Sequence, residues 1–313
     1  MPYTVIFFAS SEIALPLLKT MAVDSRFKIK ALITQPDKAA GREGELKKPN
    51  VTHDAESLGL RILQPEKLSL EVALFQEIQE NPPDFFLTFA YGQLIPESWL
   101  ALPRIAPLNV HPSLLPKYRG PSPIQAAILN EDCETGITLM KMTKEMDSGP
   151  IANQEPLNIP NHSTINTLFE LLGNLAAEKV PDWTFTLAQK KPEEQFCEQD
   201  HSKATFVKKI EKEDGRLDFQ KSAEEIFRQF RAFISWPGVF TLFKGKRLKL
   251  LELEPSSDVL EPGKVHCDKH SITIGTSDGS LKIKRLQLEG KNALYAEHFI
   301  LGQPEFCSAE LPS

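Results

Sequence analysis

The spacing of the apolar runs restricts this chain more than any other feature. Residues 4–9, 29–34, 84–89 and 105–110 are short, largely apolar and not strictly alternating. Runs of that kind are strands buried on both faces, as in a parallel sheet covered by helices on either side. Helical patterns lie between them. Residues 12–21 carry Ile13, Leu17 and Leu18 on one side with Ser11 available as a cap, and residues 69–80 form a second helix. This alternation predicts an α/β fold with a doubly wound, mostly parallel, Rossmann-like sheet. The turn after the first run reads Ala9-Ser10-Ser11-Glu12. It lacks Gly-x-Gly-x-x-Gly, which argues against a bound dinucleotide.

The second half reads differently. A long helix is predicted over residues 163–187, carrying Leu168, Leu171, Leu172 and Leu175, with Pro181 interrupting it near its end. Residues 189–204 are polar and rich in Lys and Glu, the composition of a linker. Beyond them, residues 222–233 form an amphipathic helix. Short strands follow at 239–243, 247–253, 263–266, 271–275 and 281–288, punctuated by Gly245, Gly263, Gly279 and Gly290. Such spacing predicts a smaller, OB-like β-barrel. The expected organisation is therefore residues 1–188, a linker at 189–204, and a second domain at 205–313.

Composition narrows the class. A chain of 313 residues with 41% hydrophobic and 25% charged content is that of a globular protein with room for two cores. No apolar run approaches the roughly 20 residues that span a bilayer. The first residues run directly into a strand pattern without a leader signature, so a cytoplasmic location and no membrane partner are expected. Cys133, Cys197, Cys267 and Cys307 are scattered without Cys-x-x-Cys, which suggests neither a disulfide framework nor a zinc site. No metal is expected. The net charge of −6 is uneven: from Lys203 onward there are 18 Lys+Arg against 16 Asp+Glu, and before it 18 against 26. That balance is permissive for RNA at the C-terminal third and no more.

The chemistry lies in two segments. Asn109-Val110-His111-Pro112-Ser113-Leu114-Leu115-Pro116-Lys117-Tyr118-Arg119-Gly120 closes the fourth strand. Asn109 and His111 are two apart, so a strand projects both from one face. One face then carries a neutral amide donor and a group that titrates near neutrality, which suits acyl chemistry. Downstream, Glu134-Thr135-Gly136-Ile137-Thr138-Leu139-Met140-Lys141-Met142 leads to Met146-Asp147-Ser148-Gly149-Pro150.

These strings resemble the Asn-x-His-x-Ser-Leu-Leu-Pro segment, the Thr-Gly-Val-Thr strand and the Asp-x-Gly loop of the folate-dependent formyltransferases. The resemblance implies that Asn109, His111 and Asp147 are catalytic. It implies that Ser113, Leu114, Leu115 and Pro116 contact a folate, with Phe89, Ala90, Tyr91, Gly92, Leu94 and Ile95 as its second wall. The implied donor is 10-formyltetrahydrofolate. Arg119 is expected to hold its loop through carbonyl bonds.

Residues 34–49, with Gly41 and Arg42, resemble the loop by which the family's transfer-RNA branch grips an acceptor stem. Arg42, Lys47 and Lys48 are the implied RNA contacts, although Glu43 and Glu45 depart from that loop's basic character. Ala204-Thr205, residues 208–218, Arg228, Arg231-Ala232-Phe233, Trp236-Pro237-Gly238 and residues 287–299 resemble the C-terminal domain of that branch. The sequence departs from the pattern at Ser10-Ser11-Glu12 and Ser235. The resemblance implies formyl transfer to the α-amino group of initiator methionyl-tRNA by a monomer. The alternatives are a sugar-nucleotide amine formyltransferase and a non-catalytic RNA-binding module on the same scaffold.

Overall fold

A computed structural model describes residues 1–40 and 45–312, with no side-chain description for 38–40 and 45–47. Two compact units are present. The first comprises Met1–Pro123, Cys133–Ile159 and Leu168–Lys208, and the second Ile124–Asp132, Pro160–Thr167 and Lys209–Ser313.

The first unit contains strands β1 (Tyr3–Phe8), β2 (Phe27–Ile33), β3 (Lys38–Ala40), β4 (Glu45–Lys47), β5 (Ile62–Leu63), β6 (Phe85–Thr88), β7 (Ala106–His111), β8 (Glu134–Lys141) and β9 (Ile151–Asn158). Seven of them form one sheet in the order β5-β2-β1-β6-β7-β8-β9, and β3 and β4 pair separately. The pairings from β5 to β7 are parallel, and those of β7 with β8 and β8 with β9 are antiparallel. Strand order reverses between β1 and β6. Open α/β sheets bind ligands at the carboxyl ends of the strands at such a point.

The four apolar runs became β1, β2, β6 and β7 because their residues are buried on both sides. Ile6, Phe8, Ile33, Phe86, Tyr91 and Trp99 belong to one buried cluster. Phe8 meets Phe86 and Tyr91 edge-on with ring centroids 5.0 and 5.5 Å apart. Each such pair contributes about 0.5–1.5 kcal/mol beyond area burial.

Helices α1 (Leu15–Val23), α2 (Asn50–Ser57), α3 (Val72–Glu80), α4 (Glu97–Leu100), α5 (Pro123–Leu129) and α6 (Ile165–Gln189) follow in chain order. The predicted helix at 12–21 begins instead as a 3-10 turn at Glu12–Ala14, and Ser11 precedes it without a side-chain capping bond. Pro181 lies inside α6, which continues past it to Gln189.

The second unit contains α7 (Ala223–Phe233), strands β10 (Val239–Phe243), β11 (Lys246–Ser256), β12 (Val265–Cys267), β13 (Ile272–Gly275), β14 (Ser280–Leu288) and β15 (Leu294–Tyr295), and α8 (Ala296–Gly302). Ser222 and Glu225 form a reciprocal capping box at the start of α7. Ile226, Phe230 and Phe233 are its buried stripe. The strands form an antiparallel sheet in the order β10-β11-β14-β13-β12, with β15 on β14. The expected barrel is thus met as an antiparallel sheet. Among the described residues no ladder joins β10 to β12, so closure is absent.

A further correction concerns the cysteines. Cys267 at the end of β12 and Cys307 in the C-terminal 3-10 turn form a disulfide with Cα atoms 5.2 Å apart. They are 40 residues apart in sequence, and the fold rather than any spacing motif brings them together. Cys133 and Cys197 are free and exposed. No described helix is long and apolar enough to cross a membrane.

Candidate active site

The site lies at the carboxyl ends of β6 and β7, beside the reversal in strand order. Asn109 is on β7, in register with Thr88 of β6 and Met140 of β8. It is half-buried, and no hydrogen bond among the described residues engages its amide. His111 ends β7 and is buried. Its Nε2 lies 3.0 Å from the Tyr118 carbonyl oxygen. A carbonyl only accepts, so this nitrogen carries a proton. His111 Nδ1 faces Asp147 Oδ1 at 3.6 Å. That separation is too long for a direct hydrogen bond, and the two groups form an ion pair only when the imidazole is protonated on both nitrogens.

Asp147 sits in the turn between β8 and β9 with φ of 52°. The left-handed region is uncommon for a residue other than Gly and persists only where the surroundings hold it. Here the Gly120 N–H donates to Asp147 Oδ2 at 2.9 Å. The loop after His111 therefore serves both partners: Tyr118 fixes the imidazole and Gly120 the carboxylate. His111 and Asp147 thus face each other, and Asn109 lies two residues before His111 on the same strand.

The Ser113–Pro116 turn is fastened by residues the sequence reading did not single out. Thr138 Oγ1 donates to the Ser113 carbonyl at 2.6 Å and accepts from the Leu115 N–H at 3.1 Å. Gln154 Nε2 donates to the Leu115 carbonyl and to Thr138 Oγ1 at 2.8 and 2.9 Å. Ser113 Oγ donates to the Lys117 carbonyl at 2.6 Å. The Leu115–Pro116 peptide is cis. Ser113 and Leu115 are buried, while Leu114 and Pro116 are half-buried. The signal for Thr138 was its place in the second motif; Gln154 carried none.

The candidate second wall divides by side chain. Phe89, Tyr91 and Ile95 are buried, and Tyr91 and Ile95 join the core cluster. Burial pushes the Tyr91 phenol up to about 12. Ala90, Gly92 and Leu94 are exposed, Leu94 at 76%. Ala90 and Gly92 adopt positive φ, 51° and 76°, and a Cβ on Gly92 would stand 2.6 Å from Gln35 Nε2. The loop thus anchors itself with alternate side chains and offers backbone and Leu94 outward. The Ser10 N–H donates to the Ala90 carbonyl, tying the ends of β1 and β6 together.

Arg119 differs from expectation. It is buried, and its guanidinium donates from Nε and Nη2 to Gln199 Oε1 at 3.1 and 2.7 Å, and from Nη2 to His201 Nδ1 at 3.0 Å. Its targets are side chains in the segment that composition marked as linker. That segment is fastened to the first unit: Cys197 exchanges two backbone bonds with Ile151. Thr205 N donates to the Pro116 carbonyl, Arg119 N to the Thr205 carbonyl and Val207 N to the Arg119 carbonyl.

Of the candidate RNA contacts, Arg42 lies outside the described residues, and Lys47 is placed only as the end of β4. Lys48 forms an exposed ion pair with Glu56 at 2.7 Å. Among the described residues no cluster of His, Cys, Asp and Glu is arranged to hold a metal.

The formyl transferase family model matches residues 4–183, and the formyl transferase C-terminal domain matches residues 209–304. A methionyl-tRNA formyltransferase of Caldicellulosiruptor saccharolyticus is 34% identical over 95% of this chain and 96% of its own. One of Thermotoga neapolitana is 39% identical over 93% and 92%. Among solved structures, HypX from Aquifex aeolicus in complex with tetrahydrofolic acid superposes with a TM-score of 0.66. It is 18% identical, and the match covers 97% of this chain and 47% of that one. With family models over both halves and such relatives over nearly its whole length, the chain belongs to the formyl transferase family, in the branch of the methionyl-tRNA formyltransferases.

Proposed function

We infer that this protein transfers the formyl group of 10-formyltetrahydrofolate to the α-amino group of methionine on initiator methionyl-tRNA. The products are N-formylmethionyl-tRNA and tetrahydrofolate, for translation initiation. The observation that carries this reading is near full-length likeness to methionyl-tRNA formyltransferases, combined with an Asn, His and Asp gathered at one strand end.

The chemistry follows from the residues. The acceptor amine attacks the formyl carbon, a C–N bond forms, and the carbonyl oxygen becomes an oxyanion. The unengaged amide of Asn109 is suited to donate to it. Removing one such donor costs about 3–4 kcal/mol of barrier. The amine must lose a proton and the folate nitrogen must gain one as its bond to the formyl carbon breaks. Tyr118 keeps one imidazole nitrogen of His111 protonated, so the other, facing Asp147, is the one free to take up and return that proton. The carboxylate stabilises the imidazolium that results.

For the folate we assign Ser113, Leu114, Leu115 and Pro116 on one side and Phe89, Ala90, Tyr91, Gly92, Leu94 and Ile95 on the other. Exposed backbone at positive φ and the outward Leu94 fit a flat, polar-edged ring system. We assign residues 1–188 to catalysis, 189–204 to the connection and 205–313, as an OB-like module, to the RNA. Arg42, Lys47 and Lys48 are assigned to the acceptor arm. A monomer is the working form.

The test is a competition. Labelled 10-formyltetrahydrofolate is given charged initiator tRNA and a sugar-nucleotide amine together. Label on the methionyl-tRNA alone is the expected result. Label on the sugar, or on neither, would overturn the reading.

A further inference from the structure

We propose that Gln199 is a positioning residue for the proton-transfer step, setting the backbone that carries Asp147. The proposal rests on the catalytic reading of Asp147 given above and goes beyond it. Gln199 is buried, and its carboxamide is fully engaged. Nε2 donates to the carbonyls of Asp147 and Gly149 at 3.0 and 2.7 Å. Oε1 accepts twice from Arg119.

The orientation of this amide is dictated. Turned over, it would set its NH2 against the guanidinium and its oxygen against two carbonyls, leaving every group without a complementary partner. Arg119 therefore aims Gln199, and Gln199 grips the loop on both sides of Ser148. Arg119 itself stands between Tyr118, which holds His111, and Gly120, whose N–H holds the Asp147 carboxylate. A closed ring results: Asp147 carboxylate, Gly120, Arg119, Gln199, Asp147 carbonyl. Both ends of the aspartate are fixed by it while its φ is held at 52°. The His111–Asp147 separation of 3.6 Å is where a small shift changes proton transfer most. Misplacement of about 1 Å at a reacting group costs about 100-fold in rate.

Gln199→Glu separates positioning from folding. A glutamate keeps the size and the bond to Arg119, but presents an oxygen where Asp147 and Gly149 need a donor. The expected result is a kcat for formyl transfer about 100-fold lower. KM for the folate and tRNA should be little changed, and the pH dependence of kcat displaced. Asp147→Asn and the double variant are measured beside it. If Gln199 acts through Asp147, the double variant is no slower than Asp147→Asn. Losses that multiply, or a Gln199→Glu enzyme with wild-type kcat and pH profile, would overturn the proposal. A wild-type rate for Asp147→Asn would instead remove the catalytic reading of the aspartate, on which the proposal depends. Should Gln199→Glu not fold, Gln199→Met replaces it in the same cycle. It removes both donors without adding charge, and the same outcomes apply.

Discussion

At the scale of single residues, the site is a set of unequal constraints. Asn109 is held by its strand alone, with its amide uncommitted, whereas His111 and Asp147 are each tied to the 118–120 loop. The three should therefore fail differently. Asn109→Ala is expected to lower kcat by about 10²–10³-fold through the oxyanion. His111→Ala and Asp147→Asn should each cost about 10²–10⁴-fold through proton transfer. Tetrahydrofolate affinity, followed by fluorescence, should stay near wild type in all three, because the assigned folate contacts are other residues. A folded His111→Ala enzyme at full rate would remove the imidazole from the mechanism. The two strand residues and the aspartate stood out as candidates because each lies in a dense motif. Gln199 was not: its partners are Arg119, 80 positions earlier, and two backbone carbonyls. Local sequence gives no sign of a bond to a main-chain oxygen fifty residues away.

At the scale of elements, apolar runs revealed β1, β2, β6 and β7 because burial on both faces leaves a one-dimensional trace. The same reasoning failed where polarity was taken for exposure. Residues 189–204 are polar, yet Gln199 is buried and Cys197 is paired with Ile151. Polar residues satisfied by a distant partner look like solvated ones in sequence. The Cys267–Cys307 bridge was hidden for a similar reason, since its ends meet only when β12 packs near the C-terminal turn. The β8–β9 turn carries an element-scale prediction. A Cβ on Gly149 would stand 2.0 Å from the Lys141 carbonyl oxygen, within a turn that Lys141 N closes by donating to Pro150 O. Gly149→Ala should destabilise by about 1–3 kcal/mol, as overpacking does, and slow turnover by moving Asp147. At Gly302, where nothing lies within 4 Å of the added Cβ, the same change should be silent. Thermal unfolding of the two variants side by side checks this; an unaffected Gly149→Ala would mean the turn shifts freely.

At the scale of the whole molecule, charge is the variable that separates the two substrates. The chain carries −6 overall, yet its last third is slightly positive. Many of those cations are already matched: Arg247 with Glu213, Lys284 with Glu254, Lys264 with Glu261 and Lys244 with Glu305. Lys246 and Lys282 are exposed and outside these pairs. A cation that meets an RNA phosphate releases a counterion, adding about 0.7–0.9 to the slope of log affinity against log salt. Binding of tRNA should therefore weaken steeply with salt while folate binding changes little. Lys246→Glu with Lys282→Glu should flatten the slope more than Arg247→Glu, which loses a cation already neutralised. Filter binding across a salt series measures all three; a flat slope for the wild type would exclude an electrostatic dock in this unit.

The bonds that Thr205 and Val207 make with Pro116 and Arg119 bear on how acceptor preference could be exchanged between relatives. A chimera joined where the composition changes, at 189 or at 204, would import a foreign Gln199 or a foreign 205–208 strap into the native catalytic loop. It would lose rate for reasons unrelated to its new acceptor. A junction after Lys208 leaves that stitching native, so what the graft then gains or loses reports on recognition alone.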